Sequence, residues 1–293
     1  MNDPCTDNHD KTGEELKAQR FEMLADIAKE LAGEIVFPTY FDAILRLRKV
    51  LQDESLPMTS VVKAISLEPL ISAKLIQLAN SAAYNADATH LVDLNSAVNR
   101  LGLNTVRAAA YSVVMNQLMR ARGMAPFAEI TQQLWEHSLL TAASASVIAR
   151  ETTRLNPDEA LLTGMIHDLG AFYMLYRATQ YDELRTRPDT VKYLMIQWHE
   201  SIGVSLLNAL GLPEEIVEAT ADHDHARPTP PVIKNLGDLL YIANMLAGGH
   251  FEWLMQDRPS ANEQLQEIEA HYGQFRPQIK SLADELRHGS EAQ

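Results

Sequence analysis

The spacing of the apolar side chains constrains the fold of this chain more than any other feature. Apolar residues recur every three or four positions in most segments, including 129–152 and 189–210, as in helices with one buried face. Neither strand-like alternation nor a Gly-rich phosphate-binding loop occurs in the sequence. Aromatic residues make up only 6% of the chain, and the abundance of Ala, Leu, Glu and Gln favours helix. The sequence therefore predicts an all-α fold.

The charge balance restricts the class of partner. The chain has 25 Lys and Arg residues against 39 Asp and Glu residues, a formal net charge of −14. Such a surface repels phosphate backbones and anionic lipid headgroups, so we expect no direct binding to nucleic acid or to membranes. Cys5 is the single cysteine, which excludes a disulfide framework. The first residues lack the basic and apolar regions of a signal peptide, and we expect a cytoplasmic protein.

Breaks in the helical pattern divide the 293 residues into four segments. Residues 1–33 are predicted to form a tail and one helix, and residues 34–123 a first helical half that includes a helix from Thr39 to Leu51. The Gly and Pro between Gly123 and Phe127 mark the boundary of a second helical half, residues 124–250. Residues 251–293 are expected to form one or two exposed helices with a frayed end from Gly289.

The stretch Leu161–Gly170 places His167 and Asp168 side by side in an otherwise apolar helix. Burying an imidazole and a carboxylate among Leu, Met and Ile costs several kcal/mol unless a partner compensates. A metal ion, a hydrogen-bonded His–Asp pair or a helix end could each supply that partner. From the dipeptide alone, a structural pair and a functional site both remain open.

Three other segments strengthen the functional interpretation. His137, His199 and His223 each lie toward the apolar side of their own helical pattern, as do His167 and Asp168. A single histidine of this kind is usually a core residue bonded to a carbonyl, but five such groups on successive helices point to a shared site. Gly203, one turn after His199, removes a side chain where a neighbouring helix could approach closely. We predict that these five residues can bind a metal ion.

The order His, His-Asp, His, His resembles the HD superfamily of metal-dependent phosphohydrolases, which are all-α proteins. The likeness is greater to one branch, the HDOD domain, an HD-related output domain of bacterial signalling proteins. It extends over about residues 34–230 and holds in both halves. The segments that carry it are Phe37-Pro38, Val62–Tyr84 with Glu68-Pro69 and Leu78–Ala82, Ala97–Gly102, Trp135–Ser138, Gly164–Gly170 and Gly211–Pro213. The resemblance implies an HD-like helical bundle preceded by an N-terminal helical subdomain.

Two substitutions separate the chain from the catalytic relatives that it resembles. HD-GYP phosphodiesterases have a Lys after the His-Asp-x-Gly motif, where this chain has Ala171, so a cation that would face a phosphate is missing. The last helix has Asn244 where the resemblance implies a closing metal-ligand Asp. Losing that anionic oxygen should weaken metal binding, since carboxylates offset and bridge the ions of a two-metal site.

The resemblance and these departures leave three functional interpretations. The first is a non-catalytic signalling module that acts through a protein partner in a bacterial regulatory pathway. The second is a surviving metal-dependent phosphohydrolase, in which Asp168 and the histidines hold an ion that activates water. The third keeps an ion for structure alone. The donor types favour one divalent transition metal among Fe, Mn, Zn and Ni, and the sequence does not fix the partner or the oligomeric state.

Overall fold

A computed structural model describes residues 14–32, 47, 50–51, 56–85, 89–119, 122–225, 227–248 and 259–291. Every regular element within these ranges is helical, so the predicted all-α fold is confirmed. The N-terminal tail with Cys5 and most of the predicted helix from Thr39 to Leu51 lie outside them. Leu47, Val50 and Leu51, the three described residues of that helix, are helical.

The described residues before the boundary form helices in the N-terminal segment and in the first half. The N-terminal segment contains α1 (Glu14–Ala32), and the first half contains α2 (Met58–Ile65), α3 (Pro69–Ala79) and α4 (Leu94–Met119). Helix α4 is interrupted at Gly102, whose φ of 73° is a left-handed conformation that glycine adopts without strain. The sequence predicts this break, because a glycine after a periodic helical stretch is typical of a helix end. A 3₁₀ helix, Arg122–Phe127, occupies the predicted boundary between the halves.

The second half is a bundle of seven helices in the described part of the chain. They are α5 (Ala128–Thr152), α6 (Pro157–Ile166), α7 (Leu169–Ala178), α8 (Asp182–Arg185), α9 (Pro188–Leu210), α10 (Glu214–Thr220) and α11 (Leu236–Leu246). The start of α6 agrees with its sequence signature, since the Asn156 side chain accepts hydrogen bonds from the backbone of Asp158 and Glu159. Helix α5 packs along α6 and α11, while α7 packs against α9.

The predicted single helix over Leu161–Gly170 is wrong at one point. Helix α6 ends at Ile166 and α7 begins at Leu169, so His167 and Asp168 form a turn between two helices. Asp168 leaves the helical region, with φ −96° and ψ 16°, and its carbonyl accepts from the amides of Ala171 and Phe172 at the start of α7. The directions of the two side chains are therefore not restricted to the 100° separation of adjacent residues in one continuous helix.

The C-terminal segment departs from its predicted exposure. It forms α12 (Pro259–Tyr272), a 3₁₀ turn (Gly273–Phe275) and α13 (Arg276–Glu291), which continues past the predicted fraying point at Gly289. Helix α13 packs on α3 and α5, with an apolar stripe of buried residues: Ile279, Leu282, Ala283 and Leu286. Its pattern is amphipathic, as expected, but the apolar face is covered by both halves of the chain. The four-segment division remains a prediction.

Two glycines set the helix spacing around the His-Asp turn. A Cβ added to Gly164 would lie 2.6 Å from the Ala142 Cα atom, so α6 and α5 pack backbone to backbone. A Cβ added to Gly170 would lie only 2.0 Å from the His199 carbonyl oxygen and 2.6 Å from the Gly203 amide nitrogen. The close approach expected near Gly203 is therefore present, and it brings the start of α7 against α9 beside His199.

Candidate metal centre

The structure brings all five predicted site residues together in the core of the second half. His137 lies on α5, His167 and Asp168 form the turn between α6 and α7, His199 lies on α9, and His223 follows α10. The side chains of the last four are at most 3% exposed, whereas that of His137 is 12% exposed. The histidines therefore share one buried cluster whose solvent-facing edge is at His137.

The orientation of three imidazoles is fixed by backbone hydrogen bonds. The Nδ1 atoms of His167, His199 and His223 each lie 2.8 Å from a carbonyl oxygen of the preceding turn, on Gly164, Met195 and Thr220 respectively. A carbonyl can only accept, so the proton of each neutral ring is on Nδ1. The Nε2 lone pairs are then directed into the cluster, which is the arrangement found around metal-ligating histidines.

The distances between donor atoms suit a shared cation. Two atoms bound to one ion at ~2.1 Å lie about 3.0–3.4 Å apart for coordination angles between 90° and 110°. The His137 and His167 Nε2 atoms are 3.2 Å apart, and His167 Nε2 is 3.1 Å from Asp168 Oδ2. Since the proton of neutral His167 is on Nδ1, its Nε2 lone pair needs a proton or a cation between it and these neighbours.

The two oxygens of Asp168 face opposite sides of the cluster. Oδ2 lies 3.1 Å from His167 Nε2 and 3.8 Å from His137 Nε2. Oδ1 lies 3.3 Å from His223 Nε2 and 3.8 Å from His199 Nε2. The carboxylate thus contacts every histidine of the cluster and stands at its centre.

Two further acidic residues join the cluster, and the sequence prediction missed both. Asp224 Oδ2 lies 3.0 Å from His199 Nε2, and Glu200 Oε1 accepts a hydrogen bond of 3.0 Å from the Asp224 backbone amide. Each acid directly follows a predicted histidine in the sequence, an adjacency that could have drawn attention to it. Two groups of residues each offer donor atoms that lie within 4.8 Å of one another. The first group is His199, Glu200, His223 and Asp224, and the second is His137, His167 and Asp168.

Burial and the carboxylates perturb the histidine pKa values in different directions. Burial lowers the pKa of His137 to about 4, although the negative charge of Asp168 opposes this effect. Burial also opposes the charging of His199 and His223, but the nearby carboxylates outweigh it. Asp224 raises the pKa of His199, and Asp224 with Asp168 raises that of His223 to about 10. Both histidines whose pKa is raised lie beside Asp224.

Asn244, the residue of α11 at the place of the implied closing carboxylate, also reaches this cluster. Its Nδ2 atom donates to Asp224 Oδ1 over 2.9 Å, and its side chain is buried. Its Oδ1 atom is buried without a hydrogen-bond partner in the described part of the chain. A buried amide oxygen without a donor beside the cluster agrees with a cation in this region. The residues present therefore fit a bound metal ion.

Comparisons with known proteins agree with this fold. The chain is 24% identical over 245 residues to an uncharacterized protein from Treponema pallidum. The match covers 79% of this chain and 45% of the relative, so the chain spans less than half of the relative's length. The structure of a proposed metal-dependent phosphohydrolase from Shewanella amazonensis SB2B superposes with a TM-score of 0.69 at 20% identity, covering 94% of this chain and all of the other.

A proposed signal transduction protein from Marinobacter aquaeolei VT8 superposes with a TM-score of 0.52 at 17% identity, over 96% of this chain and 68% of the other. At such identities these two likenesses establish the fold alone. In the part of the chain that the structure describes, no helix has both the length and the hydropathy needed to cross a bilayer. The sequence profile of the HDOD domain matches residues 37–226, a range that contains all five predicted site residues. The chain belongs to the HDOD domain family.

Proposed function

We propose that this protein is a signalling module that binds a divalent transition-metal ion and acts through a protein partner without hydrolysing phosphate esters. Membership of the HDOD family supports the signalling role, as does the fold shared with the Marinobacter protein. The proposed ligands are His137, His167, Asp168, His199 and His223. We propose a cytoplasmic location, where the partner would be another regulatory protein.

The observation that carries the metal proposal is the common orientation of the imidazoles. Histidines that served only to fill the core would not need to direct their Nε2 atoms toward one carboxylate. Here the Nδ1 atoms of His167, His199 and His223 are held by carbonyls, and the Nε2 atoms surround Asp168 at 3.1–3.8 Å. Imidazole nitrogens with a carboxylate favour Fe, Mn, Zn or Ni over Mg or Ca.

One position near the cluster supports a non-catalytic role. Ala171 is completely buried in α7, so the position that carries a Lys in the phosphodiesterases that the chain resembles supplies no cation here. Catalysis of phosphoryl transfer depends on preorganised positive charge around the transferred group, and Ala171 does not provide it.

A metal-dependent phosphohydrolase is the second candidate, and the donor cluster itself is the observation that favours it. The likeness to the Shewanella protein, whose name states such an activity, adds to this support. A bound ion would supply Lewis acidity and lower the pKa of a coordinated water. The 12% exposure of His137 marks the edge from which a small substrate would approach.

A hydrolysis panel separates the two candidates. Wild-type protein loaded with Mn, Fe or Zn is expected to leave nucleotides, cyclic dinucleotides and a generic aryl phosphate unhydrolysed. His167→Ala is expected to lower ion content or thermal stability without changing this result. Metal-stimulated hydrolysis that disappears in His167→Ala and Asp168→Ala, with both variants folded by circular dichroism, would overturn the non-catalytic proposal in favour of the enzyme.

The partner proposal needs an independent measurement. Affinity capture with the wild-type chain from a lysate of its source organism, followed by mass spectrometry, is expected to recover a regulatory protein that rebinds when purified. Failure of every recovered protein to rebind in purified form would contradict action through a protein partner.

A further inference from the structure

We propose that Asp224 is an additional ligand of the metal centre and that Asn244 is the residue that positions it. This inference rests on the proposed function, since it assumes that the histidine cluster holds an ion. The inference gives Asn244 a role in the centre, that of orienting a ligand. The second carboxylate of the centre is present, but it comes from the turn after α10 instead of from α11.

The placement of Asp224 is that of a ligand and not of a surface acid. Its side chain is 11% exposed, with Oδ2 at 3.0 Å from His199 Nε2 and Oδ1 at 3.6 Å from His223 Nε2. The 3.0 Å distance is that expected for two donors on one ion with a coordination angle near 90°. Asp222, two residues earlier in the same turn, is 82% exposed and contacts His225 instead.

The backbone of Asp224 is held from the opposite side by Glu200. The Asp224 amide donates to Glu200 Oε1 over 3.0 Å, and Glu200 Oε2 lies 3.2 Å from His225 Nδ1. Glu200 follows His199 directly on α9, so the same helix turn that supplies one histidine also anchors the loop that carries Asp224. The two candidate ligands are thereby fixed relative to each other.

The amide of Asn244 determines which oxygen of Asp224 faces the histidines. Its Nδ2 atom donates to Asp224 Oδ1 over 2.9 Å and lies 3.4 Å from the His223 carbonyl oxygen. With Oδ1 held in this way, Oδ2 is directed to His199. Asn244 is 2% exposed on helix α11, so the neighbouring side chains restrict its rotamers.

The two residues are also matched in charge. An aspartate at position 244 would place its carboxylate about where the Asn244 amide now lies, 2.9 Å from Asp224 Oδ1, and two carboxylates at that separation repel each other unless a cation lies between them. The neutral donor at 244 instead stabilises the Asp224 carboxylate with a hydrogen bond. The carboxylate that the resemblance implies at position 244 is thus replaced by the carboxylate of Asp224. The net charge of the centre is unchanged by this exchange.

Zinc affinity, measured by competition with a chromophoric chelator, tests this proposal. Asp224→Asn is expected to weaken Zn²⁺ binding at least ~100-fold, and Asn244→Ala about 10-fold, as is typical when a residue that orients a ligand is removed. Asp222→Asn, the matched control in the same turn, should bind Zn²⁺ like wild type. Circular dichroism and urea unfolding establish that each variant is folded.

A charge exchange distinguishes positioning from simple packing. Asn244→Asp alone removes the amide that donates to Asp224 Oδ1 and should change the Co²⁺ spectrum. The double variant Asp224→Asn with Asn244→Asp should recover part of the lost affinity. Visible spectra of the Co²⁺-loaded proteins should change in Asp224→Asn and Asn244→Ala but not in Asp222→Asn.

The outcomes separate the inference from the proposed function. If wild-type protein binds neither Zn²⁺ nor Co²⁺, the metal proposal itself fails. If wild type binds both ions and Asp224→Asn binds them with unchanged affinity and spectrum, Asp224 is not a ligand and the inference alone is overturned. If Asp224→Asn loses affinity while Asn244→Ala keeps wild-type affinity and spectrum, the positioning role of Asn244 is overturned.

Discussion

The close contact at Gly170 offers a sharp test of how the helices assemble the site. Gly170→Ala would place a methyl group 2.0 Å from the His199 carbonyl oxygen, whereas ordinary contact begins at 3.4 Å. Helices α7 and α9 would have to separate by roughly 1.4 Å, the difference between these distances, because both colliding groups belong to or adjoin the backbone. Gly203→Ala on the facing helix is a matched control, since its methyl group would lie 3.5 Å from the Gly170 nitrogen.

The two substitutions are expected to change the free energy of unfolding differently. Overpacking in a well-packed core costs about 1–3 kcal/mol, and a collision between two backbones belongs at the upper end of that range. Gly170 is in the first turn of α7, so the gain in helix propensity offsets little of this cost. Gly203 lies inside α9, where Gly→Ala gains up to ~1 kcal/mol. We expect Gly170→Ala to be destabilised by ~2–3 kcal/mol and Gly203→Ala to be neutral or slightly stabilised.

Urea unfolding followed by circular dichroism measures both variants directly. The midpoint should fall for Gly170→Ala and not for Gly203→Ala, with similar slopes. The metal-loaded protein adds a second readout, because separating α7 from α9 moves Asp168 away from His199 and should lower metal affinity. Free energies of unfolding that agree within ~0.5 kcal/mol between the two variants, or an unchanged metal affinity in Gly170→Ala, would refute the claim that this glycine sets the geometry of the site.

Two other predictions concern the attachment of α13. Burial lowers the pKa of Lys74 to about 8; between pH 8 and 10.5 the unfolded chain binds more protons, so stability should rise with pH across this window. Lys74→Met should remove that rise. It should also stabilise the protein at pH 7 by ~1–3 kcal/mol in urea titrations, although it loses the hydrogen bond to the Leu286 carbonyl. Equal dependence of stability on pH in the variant and the wild type would contradict this prediction. Arg287 pairs with both Glu136 oxygens at 3.1 Å, so Arg287→Ala should cost ~1 kcal/mol and speed hydrogen exchange in α13, whereas unchanged exchange would exclude an anchoring role.

The helices of the second half could be predicted because local signals determine them. Asn156-Pro157 starts α6, and Gly211, with φ 70°, ends α9. The break at His167-Asp168 gives no comparable signal, since apolar residues continue on both sides of it, and the close contact of Gly170 with α9 is visible only in the structure. The burial of the apolar face of α13 could not be predicted either. An amphipathic pattern does not show which surface of the protein the apolar face packs against.

The site could be predicted as a set of residues but not as a geometry. Each histidine stands out in the sequence because it lies toward the apolar side of a helical pattern. Asp224 and Asn244 belong to segments that meet only in the folded chain, 20 positions apart, through a hydrogen bond of 2.9 Å. The sequence shows that position 244 lacks a carboxylate, and only the structure shows a carboxylate from position 224 beside it.

Anomalous X-ray scattering from crystals grown with Zn²⁺ or Mn²⁺ tests the central claim most directly. The proposal predicts an anomalous peak at the buried cluster, ~2.0–2.2 Å from the Nε2 atoms of the coordinating histidines and in contact with Asp168. Crystals of His167→Ala should show a weaker peak or none at this position. A wild-type map with no peak at the cluster, at ion concentrations that occupy surface sites, would contradict the claim that these residues form a metal centre.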